Sequence, residues 1–432
     1  MLRAAAALSL AVVALAAAPA AAAGTASAPA ATVVDDPNDP VRAAEYWLDA
    51  YGVRDAWKTT RGAGVTIAII DTGIGKGPAE FNGAVVGGTD VSGAGSSDGR
   101  TPVGAVDRDH GSWVASLAAA RGTGAGTGLI GVAPEARLLS ISVGFGASAT
   151  RPFAEQIADA MRWAVDNGAG VINLSLTTNT PDWDESWDDA FLYAFEHDVV
   201  VVVAAGNRGS GTTRVGAPAT IPGVLTVGGV DPTGRASLEA STQGITIGVS
   251  APSEKLLGVS ADSRIVEWRG TSGAAPIVAG IAALVRSAHP EIDADNVINR
   301  IIRTARPAAG SSKVPDALYG YGLVDAKGAV EASVPLVSDN PMGSLSEWIR
   351  LYRRAPSQPT AQPTVGPVEV PALPQADAVT PPGSPLLPSA ETLRYGTLPL
   401  LMVTVPAILV GLGVTAAVRR IRSARESRTP SS

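Results

Sequence analysis

The chain has 432 residues, a formal net charge of −7 and no cysteine. That length can hold two or three average domains, and the acidic balance argues against nucleic acid as a partner, which calls for a basic surface. Without disulfide staples, an exported domain must be held by its core alone, which roughly 290 residues can supply.

Met1-Leu2-Arg3 opens an Ala/Leu/Val run to Ala23. A charged start, a short apolar stretch and small-residue cleavage options read as a signal peptide over residues 1–23, with a membrane anchor as the competing reading. Residues 24–44 read as an extended arm. From about Glu45 to Pro335, short apolar runs alternate with helical patterns. Val65–Ile70, Leu138–Val143, Val171–Leu176, Val199–Ala204 and Val224–Val227 are apolar on both faces, as buried strands are. His110–Ala120, Ala154–Asn167, Asp184–His197 and Ser272–Ala288 carry helical periodicity. Strands alternating with crossover helices predict an α/β three-layer sandwich on a mainly parallel sheet, spanning residues 45–336. In such sheets, ligands bind beyond the carboxyl ends of the strands.

Prolines recur from Pro341 to Pro388 among Ala, Ser, Thr, Gln and Val, which predicts a semi-rigid, unpacked stalk over residues 337–396. A short amphipathic turn at Leu345–Arg354 is placed to dock on the domain. Residues 397–418 (TLPLLMVTVPAILVGLGVTAAV) carry no charge and match the length of a membrane-spanning helix; a buried core helix is the alternative. Arg419, Arg420, Arg422 and Arg425 follow. Basic residues stay on the cytoplasmic side, so residues 419–432 are expected inside, and everything before Thr397 outside the cell membrane on a single-pass anchor.

Four segments carry candidate chemistry. Asp71 closes the first strand in IIDTG, so its carboxylate emerges at the sheet's carboxyl edge, as a cap, a ligand or a catalytic group. Of three histidines, His197 and His289 sit at helix ends and suit a dipole contact, whereas His110 in DHGSW opens an apolar helix beside a glycine and is the candidate base. Ser272 in RGTSGAAP lies at the start of a small-residue helix, where serine is either a cap or a nucleophile that glycines leave open to substrate. Asn207 follows the strand VVVVVAAG and is either a turn residue or a donor to a developing oxyanion.

Together, Asp71-Thr72-Gly73, His110-Gly111-Ser112, Ala205-Gly206-Asn207 and Gly270-Thr271-Ser272-Gly273-Ala274-Ala275-Pro276, with Gly131-Val132-Ala133-Pro134 and Ser250-Ala251-Pro252 between them, resemble the subtilisin-like serine proteases. The resemblance implies that Asp71 orients His110 and that His110 takes the proton of Ser272, which forms the acyl-enzyme. It also implies that Asn207 and the Ser272 amide hold the oxyanion. Ser175, Leu176, Thr177, Ala205 and Gly206 would line the substrate site, with Thr177, where the family commonly has glycine, reshaping the first specificity pocket. Within the family the chain is similar to the membrane-anchored mycosins of type VII secretion systems, on Arg61–Gly64, Gly131–Arg137, Val297–Ala305 and the stalk with its terminal helix. The mycosins' disulfide-braced loops are missing. The arm is too short for the folded inhibitory propeptide of many subtilases.

The implied partners are a protein or peptide substrate, the lipid bilayer and subunits of a secretion complex. No cofactor is required for the reaction; structural calcium is common in the family, but no ligand loop is recognisable here. The glycine-spaced run Gly122–Gly131 follows a helix and precedes a strand, the reverse of a phosphate cradle, and reads as a mobile loop beside the cleft. The acidic stretch Asp182–Asp189 could select basic substrate residues or serve the dipole of a helix start. A different class remains open: a structural subunit of a secretion complex that uses a protease fold as a docking module.

Overall fold

The computed structural model describes residues 36, 38–105, 107–311, 313–353, 377–378 and 398–426. The predicted signal peptide, most of the arm and much of the stalk lie outside them. The strands are β1 (Thr66–Asp71), β2 (Val85–Asp90), β3 (Arg137–Ser142), β4 (Val171–Leu174), β5 (Val200–Ala204), β6 (Leu225–Val230), β7 (Ile247–Pro252), β8 (Leu256–Val259), β9 (Ile265–Trp268) and β10 (Asp377–Ala378). The helices are α1 (Pro40–Ala44), α2 (Tyr46–Ala50), α3 (Val53–Ala56), α4 (His110–Ala119), α5 (Phe153–Asp166), α6 (Ser186–Glu196), α7 (Thr271–Ala288), α8 (Ala294–Arg303), α9 (Ala326–Glu331), α10 (Leu345–Tyr352) and α11 (Leu398–Glu426).

Seven parallel strands form the main sheet in the order β2-β3-β1-β4-β5-β6-β7, and β8, β9 and β10 form a small antiparallel one. Successive side chains of a strand point to opposite faces, and β1 shows the consequence: Ile67 and Ile69 join one core, Ala68 and Ile70 the other. Helices α4 and α7 pack against the first face; α5 and α6 cover the second. Each fully buried isoleucine of β1 contributes about 1.5–3 kcal/mol, so truncating Ile69 to alanine would cost about 2–5 kcal/mol. The chain order reverses around β1, which places the carboxyl end of that strand at the switch point of the sheet.

By length and mean hydropathy (1.3), the helix among the described residues that could cross a membrane is α7, yet 83% of it is buried and it forms the centre of the core. Its small residues permit that: a Cβ on Gly280 would lie 2.6 Å from Val132 Cβ, so glycine lets α7 approach the segment after α4 closely. Helix α11 covers the predicted span and runs on through the arginines to Glu426, its described apolar side chains from Leu401 to Val418 exposed.

Two expectations need correction. The folded domain runs past residue 336, because the amphipathic turn expected at Leu345–Arg354 docks on it as α10. Asn340 donates to the Gly223 carbonyl (3.1 Å), and α10, capped by Ser344, buries Leu345 in the second core. There Trp348 stacks on Trp183 (centroids 4.4 Å apart), and Arg353 pairs with Asp188 (2.6 Å) over both indoles. The acidic stretch takes the place its dipole reading expects, with Asp188 and Asp189 in the first turn of α6, and Asp188 also receives the Trp183 indole N–H and the Arg353 guanidinium from its own chain. Finally, the glycine run is neither free nor beside the cleft. It leaves the end of α4 opposite His110, and the arm and first helices hold it: Asp39 accepts from Gly128 N, Glu45 from Ile130 N, and Arg42 donates to Thr127 O. The segment between Val85 and Asp90, not predicted, forms β2 at the edge of the sheet, where half-buried positions and two glycines hide the strand pattern.

Candidate active site

Three chain corners meet at the carboxyl edge of the sheet. At the first, Asp71 ends β1 and His110 begins α4. Both are fully buried, and His110 Nδ1 lies 2.8 and 2.9 Å from the two Asp71 carboxylate oxygens. A carboxylate accepts only, so Nδ1 carries the proton and Nε2 is left as the acceptor. Thr72 joins the two segments. Its backbone N–H donates to Asp71, its hydroxyl donates to Arg108 O (2.7 Å), and the same hydroxyl accepts from Gly111 N (2.8 Å). A Cβ on Gly111 would lie 2.6 Å from Gly73 O, which is why glycine follows the histidine. Nε2 is buried without a hydrogen-bond partner. Half-buried Asp107 lies nearby, its carboxyl raised above the usual range by burial.

Two indoles flank the imidazole. Trp113 and Trp268 lie edge-on to it, with ring centroids at 6.1 and 5.6 Å, and close against each other at 5.8 Å. The sequence reading missed both. Trp113 stands one helical turn after His110 and Trp268 four residues before Ser272, and that spacing was the available signal.

The second corner is the start of α7. Gly270 adopts φ +140°, a conformation that favours glycine, and turns the chain so that Ser272 falls in the first helical turn, where backbone N–H groups have no intrahelical partner. Ser272 is therefore not the cap, contrary to one of the two readings. Its hydroxyl donates to the Ser175 carbonyl (3.1 Å) rather than to His110.

At the third corner, Ala205-Gly206-Asn207 leaves β5. Thr271 N donates to Asn207 Oδ1 (2.7 Å), Thr271 Oγ1 donates to the same oxygen (3.0 Å), and Gly206 N donates to Thr271 Oγ1 (2.9 Å). Since a backbone N–H can only donate, Oδ1 must face Thr271, and Nδ2 is left as a free donor directed away from it. Ser175, Leu176 and Thr177 continue from β4, all buried. The Thr177 methyl lies 3.0 Å from where a Cβ on Gly206 would stand, so these two residues share one wall. The structure thus brings Asp71 to His110 and Ser272 to Ser175, while Thr271 beside Ser272 meets Asn207 and Gly206. Among the described residues no group of three or more His, Cys, Asp or Glu side chains could hold a metal ion.

Residues 62–322 match the model of the Subtilase family. Mycosin-1 of Mycobacterium tuberculosis (strain ATCC 25618 / H37Rv) is 34% identical over 344 residues, 67% of this chain and 74% of the mycosin. Subtilisin DY of Bacillus licheniformis is 35% identical over 276 residues, 63% of this chain and 92% of that protein. Among solved structures, the MycP3 protease from the type VII (ESX-3) secretion system is similar with TM-score 0.57 and 34% identity, over 69% of this chain and 91% of that one. A MycP1 structure described as an essential component of the type VII (ESX-1) secretion system gives TM-score 0.56 and 30% identity, over 69% and 91%.

Proposed function

Because the chain belongs to the subtilase family of serine endopeptidases, we propose that Asp71, His110 and Ser272 are its catalytic triad and that Asn207 is its oxyanion donor. The observation that carries this reading is the Asp71–His110 pair, which fixes the imidazole with Nε2 as a bare acceptor. For attack, the Ser272 hydroxyl turns from the Ser175 carbonyl to Nε2. His110 takes its proton as Oγ bonds to the scissile carbonyl carbon, and Asp71 stabilises the imidazolium. The carbonyl oxygen, now negative, is met by Asn207 Nδ2 and the Ser272 backbone N–H, aided by the positive end of α7. His110 then gives the proton to the leaving amine, and water attacks the acyl-enzyme by the same route in reverse. The backbone of Ser175, Leu176 and Thr177, with Ala205 and Gly206, would bed the substrate, and Thr177 would narrow the pocket wall it shares with Gly206.

Location is read from helix α11 and the charges that follow it. The exposed apolar side chains of α11 and the arginines after Val418 support a reading in which this helix crosses the bilayer with its carboxyl end inside and the catalytic domain outside the cell membrane. The mycosin similarity, with relatives described as part of type VII secretion systems, supports a place in such an apparatus. A fluorophosphonate should label Ser272 at neutral pH, and His110→Ala should abolish the label. Labelling elsewhere, or undiminished labelling in the variant, would overturn the triad. Secretion supported in full by Ser272→Ala would show that the domain serves there by docking rather than by cleavage.

A further inference from the structure

We propose that Ser175 and Asn173 are positioning residues, which hold the Ser272 carbonyl in place of the helical hydrogen bond that Pro276 cannot make. This rests on the reading of Ser272 as nucleophile. In an α-helix the carbonyl of residue 272 accepts from the amide of residue 276. Here that residue is proline, inside α7, with no N–H and with a ring that crowds the same carbonyl. Ser272 is 4% exposed, so water does not readily replace the bond, and a buried carbonyl left unpaired is costly.

Ser175 fills the gap. Its hydroxyl donates to the Ser272 carbonyl at 2.8 Å. A serine has one proton to give, and Asn173 directs it: Asn173 Nδ2 donates into Ser175 Oγ at 2.9 Å, which leaves the hydroxyl proton to point at Ser272. Both residues are fully buried, and Asn173 is the one polar side chain in β4, with its Oδ1 unpaired. Strand packing alone would favour an apolar residue at that position. The relay also has direction. β4 is hydrogen-bonded in register to β1, Ile70 opposite Leu174, and the next residue of β1 is Asp71. The nucleophile's peptide is therefore tied to the strand beside the one that carries the aspartate, and the Ser272 hydroxyl returns a bond to the Ser175 carbonyl, so the two residues are joined twice. Ser272 and His110 are thereby placed from one rigid sheet rather than from a helix terminus interrupted by proline.

The test is a double-mutant cycle in the full-length protein, with peptide hydrolysis normalised by active-site titration. Ser175→Ala should lower kcat about 10–100-fold with KM changed less than about threefold, since it displaces the reacting group without removing it. Pro276→Ala restores an N–H four residues after Ser272, so Ser175→Ala/Pro276→Ala should recover to within about threefold of Pro276→Ala alone. Should Ser175→Ala not fold, Asn173→Val keeps the hydroxyl but loses its aim, and it too should lose kcat and be rescued by Pro276→Ala. Full kcat in Ser175→Ala, or losses that multiply in the double variants, would overturn the relay. If wild type itself failed to label at Ser272, the catalytic reading would fall instead. The cycle read in melting temperature would then report whether the hydrogen bonds are exchanged as described.

Discussion

Asn207 supports two explanations that a pair of substitutions can separate. As an oxyanion donor it should supply about 2.7–4 kcal/mol to the transition state, or 10²–10³ in kcat, a magnitude measured on subtilisin's own oxyanion asparagine. As a structural residue it accepts from Thr271 N at 2.7 Å and Thr271 Oγ1 at 3.0 Å, and Thr271 is fully buried. Asn207→Ala removes both functions: beyond the kcat loss it orphans those donors at about 1–3 kcal/mol, or several degrees of melting temperature in a domain of this size. Asn207→Asp keeps an oxygen facing Thr271 and replaces only the donor. Both variants should lose about 10²–10³ in kcat with KM nearly unchanged, while only the alanine variant should melt early. Active-site titration counts competent molecules, and calorimetry reads the melting. An aspartate variant that retains kcat within about threefold of wild type would refute the donor role and leave Asn207 as a turn residue.

Arg353→Ala should lower the melting temperature by the equivalent of about 1–3 kcal/mol, because Asp188, with its side chain 11% exposed, loses a partner that is itself 20% exposed; kcat on a short peptide should not move, and a coupled kcat loss would contradict a purely anchoring role. Burial raises the Glu80 carboxyl above its usual range, opposed by backbone hydrogen bonds. A group so raised contributes stability below its unfolded pKa and loses it as pH rises through the folded value. Glu80→Gln should therefore be more stable than wild type at pH 7, with the advantage fading toward pH 4, and parallel melting curves across that window would count against it. Protease added to intact protoplasts should release a soluble fragment ending beyond Arg353, and protection until lysis would reverse the topology.

The sheet was legible where strands are buried on both faces. VTIAII, VINLSL and VVVVVA are apolar without interruption because helices cover both sides, and the structure shifts their ends by one or two residues. β2 and β7 were not legible, since an edge strand needs no apolar run and IGVSAP ends in proline. The site divides in the same way. Asp71, His110, Ser272 and Asn207 each lie in a glycine-marked segment whose local geometry the sequence states. Their supports do not. Ser175 reaches Ser272 across 97 residues and Arg353 reaches Asp188 across 165, and no periodicity encodes which polar groups meet at such separation. The acidic stretch offered both a substrate role and a dipole role; Asp188 and Asp189 do stand in the first turn of α6, but neither role names Arg353 as the partner of Asp188.

The threonine hydroxyls at two corners of the site carry a dynamic implication. Thr72 receives Gly111 N, and Thr271 receives Gly206 N, each within 3 Å and each in buried surroundings. An amide proton locked in this way can exchange with solvent only when the corner opens. Both corners join a strand end to a helix start, β1 to α4 and β5 to α7, so neither can fray alone without pulling a core helix from the sheet. The Gly111 and Gly206 amides should thus exchange at the rate of global unfolding, although they lie in loop-flanked segments where exchange is ordinarily fast. Thr→Val at either corner would keep the packing and release the amide. The cleft of this enzyme would then be the slowest-exchanging part of its surface, an inversion of the usual pattern in which binding edges are the first to open.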